Sequence, residues 1–188
     1  MNYFFETIKC EDFEVFNLHY HNQRLSKTIG LNIDLQEYIY PPTDHLFRVK
    51  VIYSQNGIEK IDYFKYTPKD INILKIIENN DISYKYKYLN REAIEKLYMK
   101  KGLADEILIV KNGLLTDTSI ANIAIYKGNQ WLTPKEPLLE GTTRARLIEE
   151  KKLCEANLTV EDLKSASKIA LLNAMIGFKE LENFTILH

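Results

Sequence analysis

The sequence predicts a mixed α/β (α+β) fold, on three observations. Segments with period-two alternation and segments with helical periodicity follow one another along the chain. Between residues 105 and 134, short apolar runs flank an Asn-Gly turn signal, the pattern of an antiparallel meander. An apolar content of 45% in 188 residues is enough to bury a sizeable core, in one domain or two small ones.

Taken in order, residues 3–16 read as a hairpin around the polar "KCEDFE". Asn17 stands at the cap of the helix "LHYHNQRLSKTIG", which Gly30 ends. After the breaker "YPPTD" come two alternating strands around "QNG". Thr67 and Pro68, cap and first helical position, predict a helix through "KDINILKIIEN". The string "YKYKYLNR", residues 84–91, alternates as a strand, with Lys85 and Lys87 on one side and Tyr84, Tyr86 and Tyr88 on the other. "NREAIEKLYMKKG" is a helix capped by Asn90 and stopped at Gly102, and the meander follows it. Two further helices are predicted in "GTTRARLIEEKKL" and, from Thr159, in "TVEDLKSA". "KIALLNAMIGFKEL" reads as a buried strand running into a short terminal turn. The polar "ENNDIS" divides a small N-terminal α/β domain, 1–79, from a larger one, 80–188.

Charge narrows the function classes. Twenty-five Lys and Arg nearly balance 26 Asp and Glu, so no basic field recommends a nucleic-acid partner, and a small-molecule substrate is expected. The two cysteines, Cys10 and Cys154, lie far apart without a metal-type neighbour, as reduced thiols in a cytoplasmic protein would. No apolar run is long enough for a membrane span, and no basic-then-apolar leader precedes "MNYFFETI", which reads as strand from the start.

Four places offer chemistry. Gly141, Thr142 and Thr143 in "LLEGTTRAR" combine backbone N–H groups, hydroxyls and the positive end of a helix, which suits a phosphate as well as an ordinary helix start. Arg24 lies three residues after His21, and its planar fork suits phosphate or solvent; nothing in the sequence puts an acid beside His21. Asp117 sits among Leu114, Leu115, Ile120 and Ile123, as either a strand-end carboxylate reaching water or a buried one meeting a cation. One lysine of "YKYKY" is a candidate amine nucleophile, against the alternative of a solvated lysine face. A lysine for an aldehyde, an arginine and helix mouth for a phosphate, and a carboxylate for a protonated ring nitrogen together describe pyridoxal 5'-phosphate.

These blocks resemble the class IV aminotransferase family, the fold-type IV pyridoxal-phosphate enzymes, over nearly the whole chain. "FFETIKCEDFEVFNLHYHNQRLSKT" is similar to the family's Phe-Glu-Thr strand and His-x-x-Arg-Leu helix, which implies Arg24 as a phosphate ligand. "KYLNR" resembles the lyase form of the lysine motif and implies Lys87 as the lysine that carries the cofactor. "GLLTDTSIANIAIY" implies Asp117 at the ring nitrogen. "LLEGTTR" implies Leu139 on the cofactor ring, with Gly141, Thr142 and Thr143 at the phosphate; "LLNAMIGF" implies Asn173 beside it. The resemblance further implies a homodimer, a small N-terminal domain and a larger barrel-like domain. Its lyase branch releases 4-aminobenzoate and pyruvate from 4-amino-4-deoxychorismate, a step of folate synthesis; the alternatives are an aminotransferase acting on amino acids and a non-catalytic relative. Arg48, Arg91 and Arg146 are candidates for substrate carboxylates or for solvated surface roles. Three departures stand out: Asp117 replaces the family's glutamate, the family's first strand is absent ahead of "FFET", as if truncated, and Gln55 stands where relatives carry an arginine.

Overall fold

A computed structural model describes residues 2–188, and the chain divides into two compact units: Met1–Pro68 with Tyr86–Asn90, and Lys69–Lys85 with Arg91–His188. The first unit holds β1 (Phe4–Glu11), β2 (Glu14–Val15), α1 (Leu18–Ile29), β3 (Phe47–Ser54) and β4 (Gly57–Lys65). Its strands form one antiparallel sheet in the order β2-β1-β3-β4. Alternation sorts the two faces. Phe4, Glu6, Ile8 and Cys10 of β1, with Phe47, Val49, Val51 and Tyr53 of β3, point into a core completed by Leu25 and Ile29 of α1. The helix supplies these contacts because His21, Leu25 and Ile29 recur every four residues on its buried side. Gly30 closes it in the left-handed conformation (φ 75°), as its sequence position predicts. Asn17 stands at the cap with φ 56°, and its side chain makes no capping bond.

The second unit holds β5 (Ile73–Glu78), α2 (Glu92–Tyr98), β6 (Glu106–Lys111), β7 (Leu114–Thr118), β8 (Asn122–Lys127), β9 (Gln130–Pro134), α3 (Thr142–Glu149), β10 (Cys154–Ala156), α4 (Val160–Ser165), β11 (Lys168–Asn173), β12 (Gly177–Glu180) and β13 (Thr185–Leu187). They build a nine-stranded sheet, β10-β9-β8-β7-β6-β5-β13, from which β11 and β12 branch through β8. The meander β6-β7-β8-β9 is antiparallel, and the turn at Asn112 and Gly113 has positive φ at both residues, the geometry that favours Asn-Gly. Thr159 caps α4 through a reciprocal box with Asp162. Among the described residues no helix is long and apolar enough to cross a membrane.

Three sequence expectations are corrected. The segment after Thr67 and Pro68 is not a helix: residues 66–72 are irregular and Ile73–Glu78 form β5, parallel to both β6 and β13. Isoleucine-rich "ILKIIE" gains more from two ladders than Thr-Pro gives a helix start. Residues 84–88 are not a strand either; only Tyr88 makes a bridge, to Phe4. After Asn173 the chain turns and returns as β12, then adds β13, so the end is a hairpin and an edge strand rather than a terminal turn. At α2 the cap position is Arg91, one residue beyond the expected Asn90.

Candidate active site

In the first unit, strand alternation puts the carboxylate of Glu6 on the apolar face of the sheet, fully buried. Four donors from three side chains converge on it. Arg24 Nε donates to Oε1 at 2.9 Å and its Nη2 to Oε2; His21 Nδ1 lies 2.6 Å from Oε2, and the Tyr53 hydroxyl donates to Oε1 at 3.3 Å. Burial pushes the Glu6 pKa up, but the Arg24 charge and the bonds from His21 and Arg24 outweigh it and leave it at about 2. Burial likewise draws the His21 pKa below its ordinary value, against the pull of Glu6, with the charges of Arg24 and Lys87 adding to the fall. An ionised Glu6 offers only acceptors, so the His21 Nδ1 carries the hydrogen between them. Nothing in the linear sequence paired His21 with an acid; the structure supplies Glu6, fifteen residues earlier. Glu6 is thus a positioning residue for Arg24 that sequence reading missed. Its one signal was its alternation with Phe4, Ile8 and Cys10.

The returning segment, 86–90, brings Lys87 to the same unit. Phe5 N–H donates to the Lys87 carbonyl and Leu89 N–H to that of Tyr3, both at 2.9 Å. The rings of Tyr86 and Tyr88 pack on Phe4, with centroids 6.1 and 5.2 Å away. Lys85 is exposed, whereas Lys87 is half-buried with its Nζ 4.6 Å from the centre of the Phe5 ring. Arg48 lies on the outer face of this sheet, its guanidinium over the Phe64 ring at 4.8 Å.

In the second unit Asp117, near the end of β7, is 4% exposed, so its carboxylate does not reach water as a strand-end aspartate would. Its partners are amides: Asn122 Nδ2 donates to Oδ1 at 2.7 Å and the Leu139 N–H to Oδ2 at 2.8 Å. Burial dominates, and these bonds with the charge of Arg144 only moderate it, so the pKa rises to about 6. Asn122, directly opposite Asp117 in register, also donates to the Leu139 carbonyl at 2.8 Å. One side chain thereby holds β7 and the loop before α3 together. Gly141 completes the arrangement, since a Cβ there would lie 1.9 Å from Asn122 Oδ1. The Leu139 side chain is half-exposed.

Thr142 and Thr143 open α3 and are buried; Gly141 before them provides no side-chain cap. The Thr143 hydroxyl, in a residue 1% exposed, has no hydrogen-bond partner among the described residues. Arg146 pairs with Glu150 at 2.9 Å, one turn along α3. Arg91 donates to the Ser119 carbonyl at 2.7 Å, and Ser119 Oγ donates to the buried Glu106, a carboxyl that burial pushes upward and that sequence reading did not single out. Asn173 Oδ1 accepts from the N–H groups of Met175 and Ile176, so it holds the β11–β12 turn.

Comparison with known proteins adds independent support. Residues 77–180 match the family described as amino-transferase class IV, whose enzymes depend on pyridoxal phosphate. An uncharacterized protein of Haemophilus influenzae is 34% identical over 184 residues, 92% of this chain and 97% of that one. A crystal structure titled a "putative 4-amino-4-deoxychorismate lyase" from Haemophilus somnus is 33% identical, with a TM-score of 0.87 over 94% of this chain and 98% of that one. The fold also matches a hypothetical aminotransferase of Mycobacterium tuberculosis in its PLP-bound form, at 18% identity and a TM-score of 0.77 over 98% of this chain and 81% of that one. This chain is a member of the class IV aminotransferase family.

Proposed function

We propose that the chain is a pyridoxal-phosphate-dependent 4-amino-4-deoxychorismate lyase that yields 4-aminobenzoate and pyruvate for folate synthesis. The observation that carries the cofactor is the Thr143 hydroxyl, buried and without a hydrogen-bond partner among the described residues, at the head of an eight-residue helix. An unsatisfied buried hydroxyl costs about 1–3 kcal/mol, so a ligand with acceptor oxygens is its natural partner, and a phosphate answers that need. The donor set fits the rest of the group. Thr142, Thr143 and the Gly141 turn would take the phosphate; by the family resemblance Arg24, which Glu6 holds in orientation within its own unit, is its cation. Leu139 would pack on the ring, and Asn173 would support the phosphate side. Asp117 is the acid for the ring nitrogen. As an aspartate already bonded to two amides, it would act at longer reach than glutamate or through water.

When bound, the cofactor supplies an electron sink for charge that develops at the amine-bearing carbon of the substrate. The chain's own residues do the remainder. Lys87 would hold the cofactor at its aldehyde, and its Nζ is the base that would take the proton from the amine-bearing carbon of the substrate. The same amine then returns a proton to the departing enolpyruvyl group, and aromatisation of the ring drives the step. Arg48, Arg91 and Arg146 are the arginines available to substrate carboxylates. Of these, Arg146 is tied to Glu150 and Arg91 to Ser119, whereas Arg48 faces an aromatic ring and pairs with no carboxylate among the described residues. The working assembly in this reading is a cytoplasmic homodimer acting on a small molecule.

The test is pyruvate release from 4-amino-4-deoxychorismate by the cofactor-loaded chain beside Lys87→Ala. We expect release by the wild type and background only from the variant; equal release by both removes Lys87 from the reaction. A wild type that releases no pyruvate, but whose visible absorbance changes when an amino acid is added, would replace the lyase reading with an aminotransferase.

A further inference from the structure

Asp117, Asn122 and Leu139 close a ring of hydrogen bonds within the second unit. Asn122 Nδ2 uses both of its hydrogens, one on Asp117 Oδ1 at 2.7 Å and one on the Leu139 carbonyl at 2.8 Å. The Leu139 N–H returns to Asp117 Oδ2 at 2.8 Å. Both backbone groups of one loop residue are therefore committed to a pair that faces across β7 and β8. The two neighbours of the Asn122 amide nitrogen are acceptors, so a neutral group with two N–H bonds is what the place requires. An aspartate there would set carboxylate against carboxylate, and a leucine would leave two acceptors without donors.

Two residues beyond Leu139, Gly141 lies against the same amide, since a Cβ there would come 1.9 Å from Asn122 Oδ1. Thr142 and Thr143 follow at the head of α3, where the Thr143 hydroxyl is buried without a hydrogen-bond partner among the described residues. One side chain thus touches the acid on one side and the turn that leads to this hydroxyl on the other. The ring depends on the charge of Asp117. Ionised, its oxygens only accept, and the amides of Asn122 and Leu139 both find acceptors. Protonated, one oxygen becomes a donor, its bond to an amide weakens, and the hold on Leu139 loosens with it. Of the charged groups on the elements around it, Arg144 of α3 acts on Asp117, while Glu106 of β6 is bonded to Ser119, Lys127 of β8 to Asp162 and Arg146 of α3 to Glu150. Lys135, Glu136 and Glu140 of the loop are exposed.

We infer that Asn122 is a positioning residue that couples the ionisation of Asp117 to anion binding at Gly141–Thr143, the ionised acid holding that turn in its receptive shape. The inference rests on the reading of the turn as the phosphate site and of Asp117 as the acid for the ring nitrogen. Its sign is opposite to that of simple charge. By Coulomb's law alone an anion near Asp117 strengthens the hold of the carboxylate on a proton, whereas through the amide link it weakens that hold.

The test uses sulfate, a dianion throughout the neutral and mildly acid range, on the full chain without cofactor. Carbon NMR of labelled aspartate follows the titration of Asp117, identified by its loss in Asp117→Asn, with and without sulfate. In wild type, sulfate should lower the proton affinity of Asp117 by about fivefold, and by reciprocity sulfate should bind about fivefold more tightly above the Asp117 pKa of about 6 than below it. General charging of the chain acts the other way, because acid makes it more cationic and more attractive to anions. In Asn122→Ala the link is gone, and sulfate should raise the proton affinity. Thr143→Val, which keeps the shape and removes the hydroxyl, should abolish the response and so place the anion at the turn. Absence of sulfate binding, an Asp117 proton affinity that stays or rises in wild type, or a downward shift that survives Asn122→Ala or Thr143→Val overturns the proposal. If Asn122→Ala does not fold, the sign in wild type still decides. Cofactor uptake is scored separately, by borohydride-fixed label on Lys87. Uptake without the sulfate signature removes the coupling alone, and the signature without uptake removes the proposed function alone.

Discussion

Two fully buried carboxylates, one in each unit, have opposite electrostatic fates. Glu6 in the first is held near a pKa of 2 and Asp117 in the second near 6, although burial pushes both upward. The difference lies in the partners. Glu6 receives the guanidinium of Arg24 through two bonds, whereas Asp117 is met by the neutral amides of Asn122 and Leu139 and feels Arg144 only at longer range. Hydrogen bonds soften the desolvation of a carboxylate, but a cation in contact reverses it. The first carboxylate serves as a fixed anchor; the second is poised to exchange a proton near neutrality.

The comparison breaks most severely if the cation is removed. Arg24→Met leaves Glu6 buried beside His21 and Tyr53 alone, and we expect a loss of about 3–5 kcal/mol in urea unfolding at pH 7. Adding Glu6→Gln should return a large part of it, because no charge is then left unpaired. If the double variant is no more stable than Arg24→Met, the ion pair is not what holds the site.

Next in size is a pH effect of opposite sign in the two units. Glu6 has a lower pKa folded than unfolded, so its contribution is complete above about pH 4.5 and disappears as pH falls toward 2. Asp117 has a higher one, so its contribution is complete below about 3.8 and is lost as pH rises through 6, an effect of about 3 kcal/mol for a shift of this size. His21, lowered from 6.5, works against Asp117 in the overlapping range. The difference between wild type and Asp117→Asn isolates the term: the variant should gain relative stability from pH 4 to 7. A difference that stays flat across that range would mean that Asp117 is already ionised without penalty.

The smallest effect tests the amide side. Gly141→Ala drives a Cβ toward Asn122 Oδ1, and Asn122 is too short and too firmly bonded to move cheaply. We expect a loss of about 1–3 kcal/mol from crowding, with the apparent pKa of Asp117 rising as Asn122 is displaced. Carbon NMR titration of labelled aspartate reads the second effect directly, and an unmoved Asp117 would uncouple Gly141 from it.

These two sites differed in how far the sequence disclosed them. Asp117, Gly141 and Thr143 sit in local blocks whose turn and helix-start chemistry is written within a few residues, so the meander and α3 were legible. Glu6 was not, because its partners are His21 and Arg24, 15 and 18 positions away, and only strand alternation pointed inward. The same distinction explains β5. Thr67 and Pro68 are a strong local helix signal, but the outcome was decided by parallel pairing with β6, 32 residues on, and with β13 near the chain's end. In "YKYKYLNR" the alternation was real but described no single element. Tyr84 is buried within the second unit, while Tyr86 and Tyr88 belong to the first.

That split has a consequence for how the protein can be cut or built. The chain leaves the first unit at Pro68 and returns to it only at Tyr86, after seventeen intervening residues, when five residues dock against Tyr3, Phe4 and Phe5. A fragment ending at Pro68 lacks the two tyrosine rings that cover Phe4 and leaves the Phe5 amide without its acceptor. The lysine proposed to react rides on the piece that finishes the assembly, so completion of this unit and delivery of its amine are a single event.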